Sequence, residues 1–100
     1  MKTLSLDARA GALKELRRIP GVGPSLAEDL LSLGISRVAQ LRRKNPERLY
    51  RQLEDKVGAH VDRCVLYVFR CAIYFAENER PEPKLLKWWN WKDESKKPDQ

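Results

Sequence analysis

Leu16-Arg17-Arg18-Ile19-Pro20-Gly21-Val22-Gly23-Pro24-Ser25-Leu26-Ala27 sets two glycines and two prolines between segments that both carry helical periodicity. Upstream, Leu13, Leu16 and Ile19 recur at three-residue steps, which predicts a helix over Leu6 to Arg18 with an apolar stripe. Downstream, Leu26, Ala27, Leu30 and Leu31 share one side of a second helix. Pro24 suits the first position of that helix, because its missing N–H would find no partner there. Gly21 and Gly23 are expected at positive φ, where a side chain would clash. Val22 then plugs the turn into the core, and the small Ala27 lets the two helices approach. The first N–H groups of the second helix lack intrahelical partners and, with the helix dipole, favour an anion.

Outward from this turn the chain reads as more helices. Gly34 ends the second helix, and Ser36 can cap a short third helix through Leu41 or Arg43. Asn45-Pro46 is an N-cap followed by a first-turn proline. The helix it opens carries Leu49, Leu53 and Val57 and stops at Gly58. The longest helix is expected from Val61 to Asn78, with Val61, Val65, Val68, Ala72 and Phe75 on one side and Leu66, Phe69 and Ile73 widening the arc. A last short helix carries Leu85, Leu86 and the Trp88-Trp89-Asn90-Trp91 group. Residues 1–91 form one domain, and 92–100 form a polar tail without apolar anchors.

The turn matches the helix-hairpin-helix pattern. Such hairpins, by that resemblance, dock on a backbone phosphate through the amides of the turn, sometimes with a monovalent cation held by its carbonyls. A weaker echo lies 37 residues on, where Leu53, Gly58, Ala59 and Cys64 stand as Leu16, Gly21, Val22 and Ala27 do. There His60 replaces the second glycine and the proline is missing, so an ordinary helix-ending glycine explains Gly58 equally well. With the hairpin, Asp62-Arg63-Cys64-Val65-Leu66-Tyr67-Val68-Phe69-Arg70-Cys71-Ala72 and Leu85-Leu86-Lys87-Trp88-Trp89-Asn90-Trp91-Lys92-Asp93 resemble the bacterial "pathogenicity locus" family of small helix-hairpin-helix proteins. The resemblance runs from about Leu13 to Asp93. It implies a compact all-α domain of five to six helices, SAM-like in packing, in a bacterial protein. Some relatives carry labels that mention mitomycin resistance, which names a phenotype and not a reaction.

Lys and Arg together number 20 against 14 Asp and Glu in 100 residues, a net charge of +6. Seven basic and three acidic residues between Arg37 and Lys56 concentrate four of those charges in a fifth of the chain, a patch suited to a polyanion. Met1 to Asp7 has no apolar run long enough for an export signal, and Cys64 to Phe69 is too short to span a bilayer. The expected location is therefore the cytoplasm, with both cysteines as free, buried thiols.

Three further constellations stand out. Arg63, Tyr67, Arg70 and Tyr74 form one stripe on the long helix, either a second surface for phosphates and bases or a solvent side with Glu77 pairing Arg70 or Tyr74. His60, Cys64 and Cys71 share an edge of that helix. Cys64 and Cys71 are about 10 Å apart along the axis, too far for one ion or one disulfide, so no metal site is expected. The tryptophans either cover the core or offer a docking platform. One histidine, no triad spacing, and acidic pairs Glu28-Asp29 and Glu54-Asp55 that split across a helix surface give enzyme chemistry no footing.

The sequence thus predicts a non-enzymatic module that holds nucleic acid by its backbone, largely without sequence preference and without a resident cofactor. Gly21, Val22, Gly23, Ser25 and Leu26 would hold phosphate, with Arg17, Arg18, Arg42, Arg43 and Lys44 neutralising its neighbours. DNA is the expected partner, with RNA beside it. Ser25 stands where many DNA-binding hairpins carry Lys or Arg, so the alternative is a protein-interaction module (adaptor or oligomerisation) of the same fold.

Overall fold

A computed structural model describes residues 5–93. Among them lie four α-helices and no strand: α1 (Leu6–Leu16), α2 (Pro24–Ser32), α3 (Pro46–Val57) and α4 (Arg63–Glu77). Three 3-10 turns, Val38–Leu41, Pro83–Leu86 and Trp88–Trp91, complete the elements. The expected third helix therefore exists only as one 3-10 turn and the expected last helix as two, and the long helix starts two residues later than its pattern suggests. Local chemistry explains both. Gln40 Oε1 accepts from the N–H groups of Ser36 and Arg37 at 2.6 and 3.1 Å, which closes the segment on itself. Asp62 caps α4 by accepting from Cys64 N at 2.8 Å, so Val61 stays outside the helix and gives its N–H to Glu54 instead.

The other helix starts are equally explicit. Ser5 caps α1 by accepting from Ala8 N at 3.1 Å, and Asn45 caps α3 by accepting from Arg48 N at 3.0 Å. Gly58 ends α3 in the left-handed conformation, φ +76°. α1 stops at Leu16 because Pro20 removes a donor a turn further on, and Arg17 and Arg18 already belong to the turn.

α4 is the central element and touches α3 and all three 3-10 turns. Leu66, Phe69 and Ala72 are fully shielded from solvent, with Val68, Ile73 and Ala76 nearly so. Val61, Val65 and Phe75, expected in the same arc, are only half-buried. Leu16, Ile19, Val22, Ala27 and Leu30 bring the α1–α2 pair into the same core. Burial of each large aliphatic side chain favours the fold by about 1.5–3 kcal/mol. Ala27 is inaccessible to solvent, so its lack of bulk is used where α1 and α2 meet.

The last described stretch, Pro83 to Asp93, lies along α4 as a strap. Tyr74 OH accepts from Glu82 N at 2.9 Å, and Trp91 Nε1 donates to Leu85 O at 2.8 Å. The strap continues past the expected boundary at Trp91, because Asp93 is bound by α4. Of the polar tail expected over 92–100, residues 94–100 fall outside the described residues.

Candidate functional site

The turn between α1 and α2 is built by backbone hydrogen bonds from Ile19 N to Leu16 O and from Val22 N to Ile19 O, at 3.2 and 3.0 Å. Ile19 and Val22 point into the core while Gly21, Gly23, Pro24 and Ser25 face solvent. Only one of the two glycines needs positive φ. Gly21 sits at +89°, whereas Gly23 is the extended N-cap of α2 at φ −97°. A Cβ on Gly21 would lie 3.2 Å from Trp88 Cδ1, but one on Gly23 would meet nothing within 4 Å. The expectation that both glycines are sterically required is therefore corrected: Gly21 is the packed, left-handed position and Gly23 is open. Trp88 is the residue that covers the inner side of the turn.

No side chain caps α2. Ala27 N donates to Gly23 O, while the N–H groups of Ser25 and Leu26 have no acceptor among the described residues. These two donors point from the start of a nine-residue helix and carry its positive dipole end. Lys14, Arg17 and Arg18 line a shallow depression on the last turn of α1, with Ala10 and Leu13 as its apolar part. Glu15 holds Arg18 loosely, at 3.3 Å. Glu28 on α2 is drawn to Arg9 on α1, which neutralises one of the two acids that follow the turn.

Arg42, Arg43 and Lys44 do not act as one patch. Arg42 Nε donates to Ala76 O at 2.9 Å and so caps the C-terminal end of α4, a structural role that complements the helix dipole. It also shares a depression with Glu15, Glu77 and Glu79, a poor place for phosphate. Glu77, expected to pair Arg70 or Tyr74, accepts instead from Arg43 N at 2.7 Å. Arg43 is held there at φ +65°, the single non-glycine residue at positive φ among the described residues. Such a conformation costs about 1–3 kcal/mol and persists only where the surroundings impose it. Arg43 and Lys44 open onto a different hollow, shared with Arg48 of α3, a residue that sequence reasoning passed over.

The Arg63, Tyr67, Arg70, Tyr74 stripe is not a free surface, because the strap lies on it. Asp93 accepts from Arg63 Nε at 2.7 Å and from Tyr67 OH at 3.1 Å. Arg70 donates to Trp91 O at 2.7 Å and Glu47 at 2.9 Å, and also faces Asp93 at 3.1 Å. The Arg63 guanidinium holds the Asp93 carboxyl far below the usual aspartate range, with Arg70 and Tyr67 adding to it. Tyr74 and Trp91 pack with ring centroids 5.6 Å apart. The stripe's polar groups thus fasten the chain to itself.

The second echo also ends as structure. Gly58 shares the left-handed conformation of Gly21, but five residues separate α3 from α4 and seven separate α1 from α2. Cys64 is exposed where Ala27 is buried. The Asp62 carboxylate already occupies the Cys64 amide at the start of α4, so an incoming anion would meet a like charge. His60 is exposed and faces Glu54 at 3.0 Å, and no group of three or more metal-ligating residues occurs among the described residues.

The thiols differ from each other, which corrects the expectation that both are buried. Cys71 is buried, and desolvation pushes its pKa up to about 11. Cys64 is exposed, its thiol pushed up chiefly by the hydrogen bond to Asp62. In native buffer a thiol reagent should modify one equivalent, Cys64, more slowly than an unperturbed thiol because its pKa is raised, while Cys71 should wait for denaturant. Two equivalents in native buffer, or none, would contradict this arrangement.

These features define a small all-helical domain with a basic, uncapped interhelical turn at one edge, and no described helix is long and apolar enough to cross a membrane. The family model "Cdd1: Pathogenicity locus" matches residues 9–97, and the chain belongs to that family. It is also similar to a protein named "Mitomycin resistance protein McrB" from Streptomyces lavendulae, 31% identical over 83 residues that cover 83% of this chain and 75% of that one. No solved structure matches the chain.

Proposed function

We propose that the α1–α2 turn is a helix-hairpin-helix and that the protein is a non-enzymatic module that grips nucleic-acid backbone, DNA first, with little sequence preference. One observation carries this reading: α2 begins without a side-chain cap, behind two exposed glycines, with the Ser25 and Leu26 amides unpaired among the described residues and with exposed Arg17 and Arg18 in the same interhelical turn. Backbone amides at a helix start suit phosphate oxygens, and neighbouring cations strengthen the contact without reading bases. The printed names of the family and of its mitomycin-resistance relative state neither a reaction nor a ligand.

The expected result is salt-sensitive binding. Three or four phosphate contacts predict a log–log slope of about −3 on B-form duplex, with weak affinity and little difference between sequences. Anisotropy of labelled duplex over a salt series measures it. Absence of binding to DNA and RNA at low salt would contradict the proposal and favour a protein partner, for which Trp89, 49% exposed, is the available aromatic.

A further inference from the structure

A hollow of about 420 Å³ lies between the C-terminal end of α2 and the start of α3. Arg43, Lys44, Arg48 and Gln52 form its polar rim, and Leu33 and Ile35 contribute its apolar wall. No carboxylate lines it, and the three cations enter no ion pair among the described residues. Arg9, Arg63 and Arg70 are held by carboxylates (Arg9 by Glu28, Arg63 by Asp93, Arg70 by Glu47 and Asp93), whereas the positive charge around this hollow is uncompensated. Arg43, one of its lining residues, is also the residue at φ +65° whose N–H is bound by Glu77. Residues held in such conformations concentrate at binding and switch sites.

We infer that this hollow is a second phosphate site, which takes a backbone phosphate of the nucleic acid that the hairpin holds. The inference rests on the proposed nucleic-acid reading and adds a place to it. Guanidinium forks match phosphate oxygens in pairs, and Lys44 supplies a point charge beside them. Arg42 is absent from this set because its side chain is spent on Ala76 O. The hollow and the hairpin lie at opposite ends of α2, whose nine residues span about 13 Å. That separation fits well within one turn of B-form duplex, about 34 Å, so one duplex can reach both contacts.

The test compares wild type, a Lys44→Ala/Arg48→Ala double variant, Arg43→Gly and Gly23→Asp for binding to labelled duplex over a salt series. The double variant should lose affinity at low salt and flatten the log–log slope by about one. Arg43→Gly should bind more weakly without a lower melting temperature, because glycine takes positive φ freely. Unchanged affinity and slope in the double variant, while Gly23→Asp loses binding, would overturn the second site and leave the hairpin standing. Failure of the wild type to bind would remove both. If inorganic phosphate shifts the NMR signals of Lys44 and Arg48 yet the double variant binds duplex normally, the hollow serves free phosphate and the backbone assignment is overturned.

Discussion

A Gly21→Val variant should melt roughly 10–20 °C below wild type, since a domain of this size loses about 4–8 °C for each kcal/mol. Two costs add. A left-handed backbone at an L-residue costs about 1–2 kcal/mol, and a β-branched side chain raises it. The new Cβ also meets Trp88 Cδ1 at 3.2 Å, so the indole must give by a few tenths of an ångström, and the two further methyls of valine add to the crowding. Gly23→Ala, two residues away, should change the melting temperature little, because the backbone there is extended at φ −97° and nothing lies within reach of a Cβ. Equal losses at both positions in a thermal scan would contradict the assignment of separate roles to the two glycines.

Arg70→Ala should be the most disruptive change among the exposed and half-buried charges, costing about 2 kcal/mol. The guanidinium is 19% exposed and serves the Trp91 carbonyl, Glu47 and Asp93 at once. Removing one partner of a fully buried ion pair costs about 3–5 kcal/mol. Glu47 and Asp93 are 47% and 30% exposed and regain water, which reduces that figure. Arg70→Lys should recover only part of the loss, because an ammonium cannot reproduce the fork. The same seam gives an acid dependence of known sign. The carboxyl of Asp93 is held below its unfolded value, as is that of Glu47, chiefly by Arg70. Their stabilisation is therefore full above the ordinary carboxylate range, begins to fall as pH drops through about 4, and is lost only as pH falls through the lowered values of the folded state. Calorimetry from pH 7 downward should show Asp93→Asn less stable at neutral pH, with the gap to wild type narrowing in acid. A gap that stays constant would remove Asp93 from the seam.

Much of the helical order was legible because proline, glycine and capping residues carry local signals. Asn45-Pro46 and Gly58 bound α3 where the sequence places them, and Pro24 opens α2. The apolar stripe of α4 identified the central helix, since a 3.6-residue period survives in any surroundings. What could not be read was set by distant partners. The stripe from Arg63 to Tyr74 has the pattern of a solvent face, and only the return of Asp93 and Trp91 shows what covers it. Arg42 looks like its neighbours in sequence, but its guanidinium reaches a carbonyl 34 residues away. Gly23 carried a readable hint, for Ser, Thr, Asn or Asp commonly fills that position; a glycine there leaves the amides open. Arg48 stands four residues from Lys44, yet the hollow that joins them also needs Leu33 and Ile35 from another element.

The central claim is that open amides at the start of α2 hold phosphate, and Gly23→Asp tests it by filling them from within. The backbone at Gly23 is extended and unobstructed, so aspartate can adopt the capping geometry and accept from the first-turn N–H groups. A cap of this kind stabilises a helix by about 0.5–2 kcal/mol. Duplex affinity at low salt is measured by anisotropy for wild type, Gly23→Asp and the neutral cap Gly23→Ser, with melting temperatures alongside. The account predicts that both variants melt no lower than wild type, that Gly23→Asp loses most of its affinity, and that Gly23→Ser falls between. A folded Gly23→Asp protein that binds duplex as tightly as wild type would contradict it.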